Sequence, residues 1–355
     1  MTVKESSSDH RPPGHPPVAT GRIGVLLVNL GTPDAPERGA VKRYLKEFLS
    51  DRRVVEIPAL IWQPILRGII LNTRPAKSAH AYSQVWGSDG SPLAAITAAQ
   101  AAALQARLEQ ARLEQAQFGD AVIVRHAMRY QNPAIARELD ALVEAGCERI
   151  LFAPLYPQYS AATTASALDA LGAWIAGRRR LPALRTLPPY HDDPLAIAAL
   201  HRDLSRQMAV LDFVPELLLL SYHGMPERTL HLGDPYYCHC RKTSRLLEGA
   251  FAGTHPGLRI ETTFQSRFGR ARWLEPATDV VLKAEAEKGT RRIAVAAPGF
   301  SADCLETLEE LAIRGRDDFL AAGGTDFAAL ACLNAGDEGI RLLEALVQRE
   351  LAGWV

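Results

Sequence analysis

Two side chains that can handle protons or metal ions, His223 and Glu306, each follow a short apolar run of this sequence. The runs are residues 217–222 and 292–300, and Gly and Pro close each of them. Such runs predict buried strands of a parallel sheet. Ligands of open α/β sheets bind outside the carboxyl ends of the strands. We therefore expect an imidazole and a carboxylate to face one cleft, an arrangement suited to general acid–base chemistry or metal handling.

The elements that position this pair follow from the alternation of strand-like and helix-like segments. Predicted strands are 23–30, 121–124, 149–155, 216–221, 258–264 and 292–297. Predicted helices are 35–48, 93–117, 133–144, 161–176, 194–210, 238–252, 276–288, 303–313 and 337–351. Alternating βαβ units predict a parallel sheet in each half of the chain. We predict an α/β protein of two Rossmann-like, doubly wound domains, each a parallel sheet flanked by helices, with the active-site cleft between them.

The domain boundaries are predicted from where these elements begin and end. Residues 1–20 are polar and rich in Pro, Ser and His, and we interpret them as a disordered tail. The first domain covers residues 21–160, and the second covers residues 161–335 and carries His223 and Glu306. The C-terminal helix, residues 336–355, is expected to pack back on the first domain.

Composition and motifs exclude several classes of function. Among 355 residues, 40 Lys and Arg balance 40 Asp and Glu, which gives no electrostatic signal for nucleic acid. No glycine-rich phosphate-binding motif follows the first strand, so a nucleotide is not expected. The 5 cysteines are odd in number and irregularly spaced, which favours a reducing cytoplasm over a secreted disulfide framework.

The segment 57–71, which we call the lip, is strongly apolar but shorter than the ~20 residues that span a bilayer. One interpretation is a partly buried pair of helices. The other is an exposed apolar surface beside the cleft, which meets a greasy ligand or a membrane. Arg74 and Lys77 follow the lip and suit an anionic membrane surface.

Several candidate residues also have a purely structural interpretation. Asp303 and Glu306 have the spacing of a capping box, and His223 could be a loop histidine that bonds to the backbone. The Cys238-His239-Cys240 segment lacks a second ligand pair at zinc spacing, so a role other than metal binding is favoured. Trp273 is either a core residue or a stacking wall of the cleft.

Seven segments, taken together, resemble the ferrochelatase family, and its bacterial members in particular; ferrochelatases insert Fe²⁺ into a porphyrin. The segments are 26–33, 154–160, 221–226, 233–236, 264–267, 273–276 and 298–308. They occur in the family's order, from about residue 22 to the C-terminal helix. The resemblance implies two Rossmann-like domains with the porphyrin in the cleft between them.

By this resemblance, His223 corresponds to the family's catalytic histidine and Glu306 to its active-site glutamate. The imidazole would accept pyrrole protons, because its ordinary pKa of ~6.5 lies near working pH. Together the two side chains would form an incomplete ligand set, which can release Fe²⁺. Arg74 and Arg129 are candidate partners for the porphyrin propionates. The other candidate substrate-binding residues are Leu30, Tyr130, Tyr159, Ser266 and Trp273.

The resemblance also narrows the substrate and the cofactors. Leu30 stands where the branch that metallates coproporphyrin has Tyr, so protoporphyrin IX is favoured. No cofactor is expected beyond the substrate Fe²⁺. A [2Fe–2S] cluster is not favoured, but the cysteines leave it open: Cys147, Cys238, Cys240, Cys304 and Cys332.

Two rival functions stay open at this point. One is a sister chelatase that inserts Co²⁺ or acts on coproporphyrin III. The other is a non-catalytic tetrapyrrole carrier, which would not need both His223 and Glu306. A cytoplasmic location is expected, with peripheral contact at the inner face of the cytoplasmic membrane left open.

Overall fold

The computed structural model describes residues 21–115, 121–269 and 271–355. The predicted tail, residues 1–20, lies outside this part of the chain.

Within the described residues, eight strands form two parallel sheets, and the two sheets share one strand order. The first sheet has the order β2-β1-β3-β4 and the second the order β6-β5-β7-β8. The strands are β1 Arg22–Gly31, β2 Ala121–Tyr130, β3 Cys147–Pro154, β4 Ala183–Thr186, β5 Leu217–His223, β6 Arg259–Gln265, β7 Arg292–Ala296 and β8 Asp326–Ala329. The central strands are buried on both faces, as helix-covered parallel strands are.

Helices cover both sheets and connect the strands. The α-helices are α1 Arg38–Ser50, α2 Ala59–Ile65, α3 Leu71–Val85, α4 Pro92–Gln115, α5 Ile135–Glu144, α6 Ser166–Ala176, α7 Pro194–Ala209, α8 Glu227–His231, α9 Tyr236–Ala252, α10 Thr278–Lys288, α11 Arg316–Ala321 and α12 Asp337–Leu351. Three segments are π-helical, namely π1 Leu66–Ile70, π2 Ala161–Ala165 and π3 Glu306–Gly315. The predicted α/β class with two parallel sheets is confirmed.

The differences from the predicted elements lie at the sheet edges and near the cleft. The edge strands β4 and β8 have four residues each and were not predicted. Strand β2 continues to Tyr130 instead of ending at residue 124. The predicted helix 303–313 begins at Glu306 as π3 and continues through α11. Each of these differences depends on contacts with segments that are distant in sequence.

The first sheet extends beyond residue 160, where the sequence placed the boundary between the domains. Strand β4 pairs with β3, so residues 183–186 belong to the first sheet. Helix α12 packs in the core of that sheet, where Leu343 and Val347 join Leu27 and Leu151. The chain therefore crosses between the sheets twice, after β4 and again through residues 330–336, which we call the return crossover.

The lip forms α2, π1 and the first residue of α3, and part of its apolar surface faces outward. Leu60 is 93% exposed and Ile61 is 59% exposed. In contrast, Leu66 is fully buried, and Trp62 packs inward with its indole Nε1 donating to the Leu49 carbonyl at 2.6 Å. The lip is thus anchored on one side and exposed on the other. No helix in the described part of the chain is both long and apolar enough to cross a membrane.

Candidate active site

His223 and Glu306 lie at the same edge of the second sheet, and one glutamine connects them. His223 is the last residue of β5, and Glu306 is the first residue of π3, which follows the neighbouring strand β7. Gln265 ends β6 beside them. Its carbonyl oxygen accepts from the Gly224 amide at 2.7 Å, and its side-chain Nε2 donates to the Glu306 carbonyl at 2.8 Å. The sequence prediction that the pair meets at one sheet edge agrees with this placement.

The hydrogen bond of the His223 ring fixes which nitrogen is available for chemistry. Nδ1 lies 2.7 Å from the carbonyl oxygen of Gly224. Because a carbonyl only accepts, Nδ1 carries the proton in the neutral ring and Nε2 keeps its lone pair. Gly224 is required here, since a Cβ at this position would lie 2.5 Å from the Gln265 carbonyl oxygen. The backbone bond of the structural interpretation is therefore present, and it orients the basic nitrogen.

The carboxylate of Glu306 approaches side chains of the first domain. Burial raises the pKa of Tyr44 and Tyr82, and the charge of Glu306 adds to this increase. Arg74 also lies within the electrostatic reach of Glu306, while burial lowers the pKa of its guanidinium. Glu306 thus belongs to the second domain but faces buried phenols and a cation of the first domain, across the cleft.

The capping-box interpretation of Glu306 does not match the structure. The amide of Asp303 donates to the Asn334 side chain at 2.8 Å, so it is not capped by Glu306. The carboxylate of Asp303 instead accepts from the Thr307 hydroxyl at 2.9 Å. The carboxylate of Glu306 is therefore not used to begin the helix.

Glu310 is a site residue that the sequence reasoning missed. It lies one π-helical turn after Glu306, and its carboxylate accepts hydrogen bonds from the amide and the hydroxyl of Ser266. Burial raises the pKa of its carboxyl, while the Ser266 hydrogen bonds and the nearby His223 and Arg314 oppose this rise. The carboxyl of Glu310 therefore lies close enough to His223 for the two groups to influence each other electrostatically. The i, i+4 spacing of the two glutamates was the available signal.

Ser266, which was predicted to bind substrate, is occupied with this carboxylate. Its backbone is left-handed, with a φ of 65°, a conformation that directs both its amide and its hydroxyl at Glu310. The structure therefore places Ser266 as a support of Glu310.

Arg74 and Trp273 meet across the cleft through Phe268. The guanidinium of Arg74 lies 4.9 Å from the centroid of the Phe268 ring, and that ring lies 4.8 Å from the Trp273 ring. Trp273 is only partly buried, and its indole donates to the Phe268 carbonyl at 3.0 Å. The placement agrees with a wall of the cleft better than with a core position. No carboxylate lies at ion-pair distance from Arg74 among the described residues.

Arg129 and Tyr130 lie in a buried network beneath the first-domain side of the cleft. Arg129 pairs with Asp51 at 2.7 Å and donates to the Ser166 hydroxyl at 2.7 Å. Tyr130 is fully buried, and its hydroxyl lies 2.8 Å from the same Asp51 carboxylate. The charge of Arg129 is therefore neutralised inside the protein, which weakens its case as a propionate partner.

The two remaining substrate-binding candidates border the space between the domains. Leu30 is partly buried and packs against the cluster of Leu93, Ala302 and Cys304, which joins the first and second domains. Tyr159 is partly buried, and its amide donates to Nδ1 of His239 at 3.2 Å. Both residues thus lie where the first and second domains contact each other.

The cysteines are too dispersed to hold an iron–sulfur cluster together. Cys147, Cys240, Cys304 and Cys332 are buried in four different hydrophobic clusters, and Cys238 is exposed. A [2Fe–2S] cluster requires four ligands at one point. In the described part of the chain, no three His, Cys, Asp or Glu side chains come together as a metal-binding group. The residues present therefore do not fit a cluster.

Comparisons with known proteins point to one family. A ferrochelatase family model matches residues 22–351. The ferrochelatase of Rhizobium meliloti (strain 1021) is 50% identical over 345 residues, which cover 96% of this chain and 98% of that protein. The ferrochelatase of Methylibium petroleiphilum (strain ATCC BAA-1232 / LMG 22953 / PM1) is 51% identical over 346 residues, which cover 97% of this chain and 93% of that protein.

The comparison with solved structures supports the fold. SirB from Bacillus subtilis with Fe³⁺ superposes with a TM-score of 0.52 at 12% identity, over 92% of this chain and 95% of that one. At this identity the likeness is one of architecture alone.

Proposed function

This chain belongs to the ferrochelatase family, and on that premise we propose that it inserts Fe²⁺ into protoporphyrin IX with release of two protons. The product would be protohaem, made in the terminal step of haem biosynthesis. The observation that carries the proposal is the pairing of His223 with Glu306 at one sheet edge, held by Gln265 between them.

Proton removal is assigned to His223 and Glu310. Nε2 of His223 is the basic nitrogen of the oriented ring, and it would take a pyrrole proton as the metal enters. The imidazolium that forms is stabilised by its electrostatic interaction with the nearby carboxylate of Glu310. His223 would release the first proton to water before it accepts the second, so that both pyrrole protons leave to the solvent.

Metal transfer is assigned to Glu306 with His223. A carboxylate and an imidazole are both acceptable ligands of Fe²⁺, and two ligands leave the remaining positions to water or to the porphyrin nitrogens. A complete protein cage would hold the ion instead of releasing it. The cation of Arg74 partly balances the charge of Glu306, and the raised pKa of Tyr44 and of Tyr82 keeps their phenols neutral beside it.

Recognition of the porphyrin is assigned to the cross-cleft wall. Phe268 and Trp273 offer aromatic surfaces for a flat macrocycle, and Arg74 offers a cation without a carboxylate partner among the described residues. We expect a propionate to bind Arg74 more strongly than Arg129, because the charge of Arg129 is already paired with Asp51. Leu30, which packs against the cluster of Leu93, Ala302 and Cys304, favours protoporphyrin IX through the family resemblance.

We also infer a peripheral membrane contact through the lip. Its exposed residues Leu60, Ile61 and Ile69 form an apolar surface on the segment that leads directly to Arg74. Protoporphyrin is poorly soluble in water, so delivery from a bilayer surface next to the cleft would avoid an aqueous step. The proposed location is the cytoplasm, at the inner face of the cytoplasmic membrane.

A panel of metals and tetrapyrroles tests the assignment of substrates. The purified protein is incubated anaerobically with Fe²⁺ or Co²⁺ and with protoporphyrin IX or coproporphyrin III, and the absorbance spectrum is followed. The proposal expects the highest kcat/KM for Fe²⁺ with protoporphyrin IX. Faster metallation of coproporphyrin III, or faster insertion of Co²⁺, would replace it with a sister chelatase.

A further inference from the structure

The residue that tethers the start of π3 comes from the return crossover. Asn334 has a left-handed backbone, with a φ of 51°, and lies between β8 and α12. Its side chain makes two reciprocal bonds to Asp303, three residues before Glu306. Its Nδ2 donates to Oδ2 of Asp303 at 2.6 Å, and its Oδ1 accepts from the Asp303 amide at 2.8 Å.

The carboxylate of Asp303 collects three donors, two of them from other segments. Besides Asn334, its Oδ1 accepts from the Thr307 hydroxyl at 2.9 Å and from the Cys332 amide at 3.3 Å. Thr307 directly follows Glu306, and its hydroxyl also accepts from the Cys304 amide at 3.0 Å. The first turn of π3 is therefore tied on both sides of Glu306 to the return crossover.

A glutamine of the first domain makes hydrogen bonds to the same two segments, the loop before π3 and the return crossover. Gln100 lies on α4, is 1% exposed, and donates from Nε2 to two carbonyl oxygens of other segments. The acceptors are Ser301 at 2.9 Å and Asn334 at 3.0 Å. The side-chain amide of Gln100 thus bonds both to the loop that leads to Glu306 and to the return crossover, whose Asn334 bonds to Asp303.

We propose that Gln100, Asn334 and Asp303 are positioning residues that couple the placement of the first domain to the carboxylate of Glu306. The connection runs from α4 through Asn334 and Asp303 to Thr307, beside Glu306. A shift of the domains on a bound macrocycle would move Asn334 and, through Asp303, the start of π3. The inference rests on the proposed function, because it concerns the metal-handling role of Glu306.

An exchange of Asp303 and Asn334, which we call the clasp residues, tests the coupling. In Asp303→Asn, the side-chain N–H of Asn334 faces the new amide N–H at position 303 and loses its acceptor oxygen. In Asn334→Asp, two carboxylates face each other. The double exchange restores every bond, because the new amide at position 303 donates to the new carboxylate at position 334 and still accepts from Thr307 and Cys332. We expect kcat to fall roughly 10- to 100-fold in each single variant, with little change in the KM for porphyrin, and to recover in the double variant.

Thr290→Val provides the control for a loss of stability alone. Thr290 is buried and donates to Glu285 at 2.8 Å, and it precedes β7 at the edge of the second sheet opposite His223. This variant should melt earlier but keep the wild-type kcat. Folded single variants with a wild-type kcat would overturn the coupling, and so would a double variant no better than the worse single one.

Gln100→Met tests the coupling if Asp303→Asn or Asn334→Asp does not fold. Gln100→Met keeps the size of the side chain and leaves the Asp303–Asn334 pair intact, but removes both donors to the second half of the chain. It should lower kcat in the same way, and an unchanged kcat would contradict the coupling. Wild-type protein that does not metallate porphyrin would instead contradict the proposed function.

Discussion

The side-chain amide of Gln265 donates to the backbone carbonyl of Glu306 at 2.8 Å, and its Oε1 accepts from the Ser221 hydroxyl at 2.6 Å. Ser221 lies two residues before His223 in β5. A single buried side chain therefore sets the distance between the strand that carries the imidazole and the helix that carries the carboxylate. Gln265 bonds to the Glu306 backbone and to Ser221, so the imidazole of His223 and the carboxylate of Glu306 stay free of it.

Gln265→Met should lower kcat about 10-fold or more, because the Glu306 carbonyl and the Ser221 hydroxyl lose their shared partner. Porphyrin binding should change little, since Gln265 is buried. Gln105→Met is the matched control: like Gln265, Gln105 uses both its side-chain nitrogen and its side-chain oxygen, here in bonds to the backbone of Val122 and Val124 in the first sheet. Steady-state kinetics of both variants decide the matter, and equal kcat values would argue against the role of Gln265.

Glu306→Gln should reduce turnover by about 10²-fold or more while leaving the melting temperature close to that of the wild type. The reason is that its carboxylate makes no cap and faces the cleft, whereas Asp303 and Thr307 hold the helix start. Melting and turnover should be measured on the same preparation. A drop of about 1 kcal/mol in stability with full activity would restore the capping role.

Acidification should destabilise the junction of the domains. The rings of His191 and His239 stack with centroids 3.6 Å apart. Burial, followed by the charge of His239, lowers the pKa of His191 to about 4, and burial also lowers the pKa of His239. Both rings are therefore favoured in the neutral form when folded, and unfolding takes up protons below the ordinary histidine pKa of ~6.5. Stability should be full above that pH and should fall as the pH drops towards 4.

The measurement is the melting temperature between neutral and mildly acidic pH. The variant His191→Asn removes one of the two stacked groups and should give a shallower decline. Asp192 and Lys242, which pair beside the rings, stay in place as a constant background. A wild-type melting temperature that stays constant over this range would contradict the assignment.

The lip should deliver the porphyrin without taking part in the chemistry. Replacing the exposed Leu60, Ile61 and Ile69 with Ser should weaken binding to anionic liposomes and raise the KM for porphyrin, with less effect on kcat. Trp62 and Leu66 are unsuitable for this test because they pack inward. The exposed Val210 and Val214, replaced with Ser, provide a control for loss of apolar surface elsewhere. Unchanged liposome binding in the lip variant would remove the membrane contact from the account.

The sequence was sufficient for six of the eight described strands and for the placement of two residues at strand ends. Apolar runs closed by Gly and Pro identified β5 and β7, and with them His223 and Glu306. The sequence was not sufficient for the residues that act through long-range bonds. The Ser266 amide reaches Glu310 across 44 residues of sequence, and local patterns do not encode such a contact. Strand β4 was missed for a similar reason, because its four residues become a strand only by pairing with β3.

The most direct test of the central claim is anaerobic metallation followed by absorbance. Wild-type protein and His223→Ala are each mixed with protoporphyrin IX and Fe²⁺, with His231→Ala, which changes an exposed histidine of α8, as the control. The account predicts that the wild type and His231→Ala convert the porphyrin spectrum to that of haem. It predicts that folded His223→Ala binds porphyrin but metallates it at least about 10²-fold more slowly. Porphyrin binding without metallation by the wild type, or near-normal turnover by His223→Ala, would contradict it.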